Sequence, residues 1–82
     1  MGWERIERNH FDAWIGGRRI ALLRTLSGWC AWAPLYSCSV ARTSFEAATP
    51  QAALAAVCAW YAGHSMPEMA AAVHALGMPE DA

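Results

Sequence analysis

Lysine is absent from this chain, and charged residues make up only 16% of its 82 residues, against roughly 25% in ordinary soluble domains. So few charges cannot cover the outside of a small protein. Some apolar surface is left to face water or a partner, and self-association into a homodimer is the simplest way to hide it. Cys30, Cys38 and Cys58 are odd in number and match neither a CxxC nor a zinc spacing, which argues against a disulfide framework or a structural metal site. No apolar stretch follows a basic start, so no secretory signal is expected. The longest uncharged apolar run, 52–62, falls well short of the ~20 residues that span a bilayer. No membrane partner is expected, and a cytoplasmic location follows.

Catalytic patterns are missing as well. There are no paired carboxylates and no phosphate-cradling glycine loop, and the three histidines have no partner at ligand or triad spacing. Cys58 and His64 could be imagined as nucleophile and base, but Cys58 falls on the expected core side, where apolar surroundings raise a thiol's pKa and leave it inert. The expectation is a protein that is not an enzyme and uses no cofactor.

What is present is apolar bulk, 56% of the residues, and a skewed charge distribution. All six arginines lie in residues 1–45 against three acids, whereas residues 46–82 hold four acids and no base. The excess of +3 in the first part and −4 in the second gives the net charge of −1. A chain of this length has room for one core and buries only about 60–65% of its unfolded surface, so 1–82 is read as a single domain.

Between His10 and Arg42 the residues alternate as in an antiparallel meander. Gly16-Gly17, set between apolar runs, reads as a two-residue hairpin turn, because both central positions need positive φ. That turn fixes a register: Ile15 opposite Arg18, Ala13 opposite Ile20 and Phe11 opposite Leu22 on a core face, with Trp14 opposite Arg19, Asp12 opposite Ala21 and His10 opposite Leu23 on the outer face. A second turn at Ser27-Gly28 would pair Leu22 with Ala33 and Leu23 with Trp32. A third at Pro34-Leu35 would pair Ala31 with Cys38 and Trp29 with Val40, placing Tyr36, Cys38 and Val40 in the core and keeping Cys30 and Cys38 on opposite faces. Trp3 to Arg8 is left open between a further strand and a lead-in.

After Phe45 the period becomes helical. Thr49-Pro50 supplies an N-cap and a first-turn proline, and Gly63 marks the end of a helix over 49–62. Leu54, Val57, Cys58 and Tyr61 form the stripe that would cover the sheet. Ser65-Met66-Pro67-Glu68 has capping-box spacing for a second helix over 66–76, with Gly77 and Pro79 as stop signals. The expected fold is therefore α+β: an antiparallel meander of three to four strands packed on an Ala-rich helix, with a second short C-terminal helix.

The outer sheet face is the best candidate for function, since Trp14, Arg19, Leu23, Cys30 and Trp32 gather there and Trp and Arg dominate binding hot spots. Trp14, Arg18, Arg19, Leu23 and Trp32 are taken as the partner-binding set, with Arg19 expected to stack on Trp14. The competing reading is that a further layer covers this face and makes it core. A protein partner ranks first. A nucleic-acid-binding regulator is the alternative, either through a helix-turn-helix-like segment over 55–76 or through the basic, aromatic sheet face. Against the first form, the would-be recognition helix has no Arg, Lys, Asn or Gln and carries Glu68.

The Gly16-Gly17 hairpin, the Ser27-Gly28-Trp29 turn and the Thr49-Pro50-capped Ala-rich helix together resemble small phage and mobile-element proteins built from a short sheet on one helix. Anti-CRISPR inhibitors include many such proteins. The resemblance covers roughly residues 10–62 and rests on architecture and size. It implies an inhibitor that binds a CRISPR effector complex in a bacterial host cell and blocks DNA or nuclease docking. Inhibitors that imitate DNA are strongly acidic and this chain is nearly neutral, so what is implied is direct blockade by protein–protein contact.

Overall fold

The Gly16-Gly17 turn organises the sheet as its sequence requires. In the computed structural model, which describes residues 2–80, both glycines have positive φ, 55° and 76°. They join β2 (His10–Ile15) to β3 (Arg18–Thr25), and every expected pair from His10–Leu23 to Ile15–Arg18 forms. β1 (Glu4–Glu7), β4 (Gly28–Ala33) and β5 (Thr43–Ala47) complete a five-stranded antiparallel meander in the order β1-β2-β3-β4-β5. The fold is α+β with one strand more than the upper expectation. Trp3 to Arg8, left open by the sequence, supplies β1, which pairs with β2 through an irregularity between Arg5 and Glu7.

β3 and β4 pair two residues away from the expected register. Leu22 lies opposite Ala31 and Leu23 opposite Cys30, and the turn is Leu26-Ser27. A slip of two leaves every side chain on its expected face, because strand side chains alternate with period two. Gly28 serves the neighbouring strand rather than the turn. At its φ of 153° an added Cβ would stand 2.4 Å from the Ala47 carbonyl oxygen, so only glycine lets β5 come this close.

The third expected turn does not form. Tyr36, Cys38 and Val40 are exposed in a loop over 34–42, and Phe45 takes the place opposite Ala31 that was assigned to Cys38. The cause is tertiary. The Tyr61 hydroxyl donates to the Pro34 carbonyl at 2.5 Å, Arg18 Nε donates to the Leu35 carbonyl at 3.1 Å, and Cys38 adopts a left-handed backbone, φ 57°. These bonds engage the carbonyls that a Pro34-Leu35 turn would have presented, and the chain pairs again only at Thr43-Ser44-Phe45-Glu46-Ala47, which has the same alternation.

The first helix, α1 (Pro50–Gly63), starts as its sequence requires, with Thr49 Oγ1 accepting from the Ala52 amide at 3.1 Å. Leu54, Val57 and Tyr61 are buried against Ile20, Leu22, Trp29 and Ala31 of the sheet, and Cys58 packs at the edge of this core. Each large side chain so buried contributes about 1.5–3 kcal/mol. The second helix, α2 (Pro67–Leu76), adds Met69 and Val73. Its expected capping box is absent: Met66 occupies the N-cap with no side-chain bond. Ser65 instead has left-handed φ, 58°, and the amides of Ser65 and Met66 donate to the Ala62 and Tyr61 carbonyls. That bond pair is a Schellman closure of α1, which draws Ser65 into the end of the first helix and away from the start of the second.

Candidate binding surface on the open sheet face

Both helices pack on one side of the sheet, and among the described residues no helix or strand covers the other side. Strand alternation puts Asp12 and Trp14 of β2, Arg19, Ala21 and Leu23 of β3, Cys30 and Trp32 of β4, and Ser44 and Glu46 of β5 on this open face. Its middle is closed by its own side chains. Asp12 is buried, with Oδ1 2.7 Å from His10 Nε2 and Oδ2 3.7 Å from the Arg19 guanidinium. A buried carboxylate needs such partners to offset lost hydration. Ala21 and Cys30 are buried beside it.

Toward the Gly16-Gly17 end the face opens into a cleft of about 290 Å³, walled on the sheet side by Trp14, Arg19 and Trp32 and on the other by Cys38, Val40 and Arg42 of the loop. Trp14 is 59% exposed and Val40 95% exposed, a large apolar area for a protein so poor in charge. The Arg42 guanidinium lies over the Trp32 ring, 4.0 Å from its centroid, as a cation held by the ring quadrupole.

The loop wall is fixed from below. The Pro34 and Leu35 carbonyls are held by Tyr61 and Arg18, the Cys38 amide donates to the Gly17 carbonyl at 3.0 Å, and Ser39 Oγ accepts from the Ala41 amide at 3.1 Å. Burial pushes the Tyr61 hydroxyl up to about 12, with Arg18 pulling weakly the other way, so Tyr61 remains a donor at neutral pH. Burial also raises the Cys58 thiol, against a smaller opposing effect of a backbone hydrogen bond. Among the described residues no three His, Cys, Asp or Glu side chains gather where one metal ion could reach them. No helix among them is long and apolar enough to cross a membrane.

Of the five residues assigned to the site from sequence, Trp14, Arg19 and Trp32 meet in the cleft. Leu23 shares the face but lies beyond Asp12, opposite Cys30. Arg18 is on the other side: alternation turns it inward, where it reaches the Leu35 carbonyl and approaches Met69 Sδ at 3.8 Å. Trp14 and Arg19 do stand opposite each other, but Arg19 turns to Asp12, and the stacked pair on this face is Arg42 on Trp32. Arg42 is the residue that sequence reasoning missed. Its signal was the run Thr43-Ser44-Phe45-Glu46-Ala47, which read as a strand would have put Arg42 at its entrance.

Comparison with known proteins gives no match: no family model, no curated protein and no solved structure matches the chain.

Proposed function

We propose that the chain is a non-enzymatic protein-binding module that takes its partner in the Trp14–Arg19–Trp32–Arg42 cleft. The observation that carries this reading is Trp14, more than half exposed on a face that no helix covers and flanked by two arginines. A tryptophan beside arginines in a concave, pre-shaped setting is the usual make-up of a binding hot spot. Protein suits the cleft better than nucleic acid. Platforms for single strands offer successive free aromatic faces, whereas here Arg42 already occupies Trp32 and only Trp14 is open. Arg19 is drawn toward the buried Asp12, which weakens the field available to phosphates. The exposed positions of α2, Pro67, Glu68, Ala71, His74 and Ala75, carry no arginine or lysine for a DNA backbone.

The narrower form of this reading is an inhibitor that docks on a CRISPR effector complex of a bacterial host. Near-neutral charge and a cleft of aromatic and guanidinium groups support blockade by protein contact over imitation of DNA.

The test uses Trp14→Ala and Arg42→Ala beside the parent chain. Each is expected to weaken the partner complex by about 2 kcal/mol or more, read by titration against purified effector complexes and by protection of a target plasmid in cells. Effector binding that survives both substitutions would remove the cleft from the reading. Single-stranded oligonucleotides captured in a Trp14-dependent way, with no effector bound, would replace it with the nucleic-acid alternative.

A further inference from the structure

The two edges of the sheet are built differently. At one edge, β1 has three charged residues in four, Glu4, Arg5 and Glu7, and its pairing is broken between Arg5 and Glu7. Charge and irregularity of this kind are how sheets keep other chains from adding on. At the other edge, β5 pairs with β4 at five consecutive residues without a break. It contains no proline or lysine and one charge, Glu46. Among the described residues nothing outside the sheet bonds to its outward backbone.

The geometry points to β5 as a dimerisation strand: we propose that two copies of the chain join antiparallel along it, centred on Ser44, into one continuous ten-stranded sheet. Charge selects this occupant and this register. With Ser44 opposite its own equivalent, Arg42 of each copy faces Glu46 of the other, on the open face, where alternation along β5 places Glu46 and the stacking on Trp32 places Arg42. Opposite charges directly across an antiparallel pair stabilise it, and the two-fold axis supplies the pair twice. A pairing centred on Phe45 would leave Arg42 opposite Ala48 and Glu46 opposite Ser44, so neither charge would be answered. In the single chain, among the described residues, neither Arg42 nor Glu46 has an ion-pair partner. Arg42 can accept the new contact without leaving Trp32, because a guanidinium stacks through its face and donates through its edge.

A second observation on the helix side agrees. Phe45 and Trp60 sit edge to face beside the β5 edge, 5.7 Å between centroids, and Trp60 lies 5.0 Å from the His64 ring. Both large rings are only half-buried. The proposed register brings Thr43 of the second copy opposite Phe45 and continues the helix layer past this aromatic shoulder. Because the two-fold axis runs normal to the sheet, both clefts open in the same direction. The inference holds whatever the clefts bind.

The test is a charge swap read by multi-angle light scattering and sedimentation over a concentration series. The parent should change from monomer to dimer mass as concentration rises, with β5 amides becoming protected from hydrogen exchange over the same range. Glu46→Arg sets arginine against arginine, and Arg42→Glu sets glutamate against glutamate. Each alone should weaken dimerisation roughly tenfold or more, while an equimolar mixture of the two restores the dimer as a heterodimer. Both sites are exposed, and unchanged melting temperatures in dilute solution establish that the variants fold. A parent that stays monomeric at several hundred micromolar overturns the proposal. So does a dimer indifferent to both reversals, or one that the mixture fails to restore.

Discussion

Trp29 of β4 and Trp14 of β2 flank the same central strand of the meander, yet one is 8% exposed and the other 59%. The difference lies in the face. Trp29 points toward α1 and packs with Leu54 and Val57 in the core, while Trp14 points to the side that no helix covers. One face uses its apolar groups to hold the fold, and on the function proposed above the other keeps them for a partner. If that division is real, substitutions on the two faces should separate cleanly into those that change stability and those that change binding.

The largest effect is expected from Leu22→Ala. Leu22 is fully buried beneath α1, and truncation of such a side chain costs about 2–5 kcal/mol, a large part of the ~4–12 kcal/mol available to a domain of this length. Urea unfolding should show the midpoint falling steeply, and a small shift would mean that the inner face is loosely packed.

Next comes Tyr61, whose hydroxyl crosses from the helix layer to the loop that walls the cleft. Tyr61→Phe leaves the Pro34 carbonyl without its donor and should cost about 1–3 kcal/mol. The parent should also lose stability at high pH. Below pH 10 the phenol is protonated in both states. Between 10 and about 12 the unfolded chain gives up this proton while the folded chain keeps it, so stability falls as pH rises through that window, by roughly 2–3 kcal/mol in full. The Phe variant lacks this contribution, and its stability should fall less over the same range. Equal alkaline slopes for the two proteins would show that the hydroxyl is not held as described.

The smallest effect on folding is expected at Trp14. Trp14→Ala should move stability by no more than about 0.5 kcal/mol, although the same change is expected to weaken the partner complex strongly. Unfolding of this variant would break the comparison, since it would make the open face part of the core.

The parts of this fold that could be read from the chain are those decided by neighbours in sequence. Gly16-Gly17 dictates a turn and a register, Thr49-Pro50 dictates a helix start, and alternation assigns faces that survive even a two-residue slip between β3 and β4. What could not be read was decided by distant partners. Tyr36-Ser37-Cys38-Ser39-Val40 alternates as well as β5 does, and distant partners hold it as a loop: Arg18 and Tyr61, 17 and 27 residues away along the chain from the carbonyls they bind, and the Gly17 carbonyl, which accepts from the Cys38 amide. The site divides in the same way. Trp14, Arg19 and Trp32 follow from parity, and Arg18 is excluded by that parity despite its place next to Arg19. Arg42 became visible only once β5 was known to begin at Thr43.

A connection as long as 34–42 would ordinarily be mobile, and a mobile wall must be ordered anew each time a partner arrives, at about 0.5–1.5 kcal/mol for each rotamer-rich side chain immobilised. Here Pro34, Leu35 and Cys38 are already tied to a helix tyrosine, a strand arginine and the hairpin turn, and Arg42 rests on Trp32. The ordering cost has therefore been met during folding. A partner entering this cleft meets a finished shape, so its affinity should depend more on how fast the complex comes apart than on how often the loop happens to be closed.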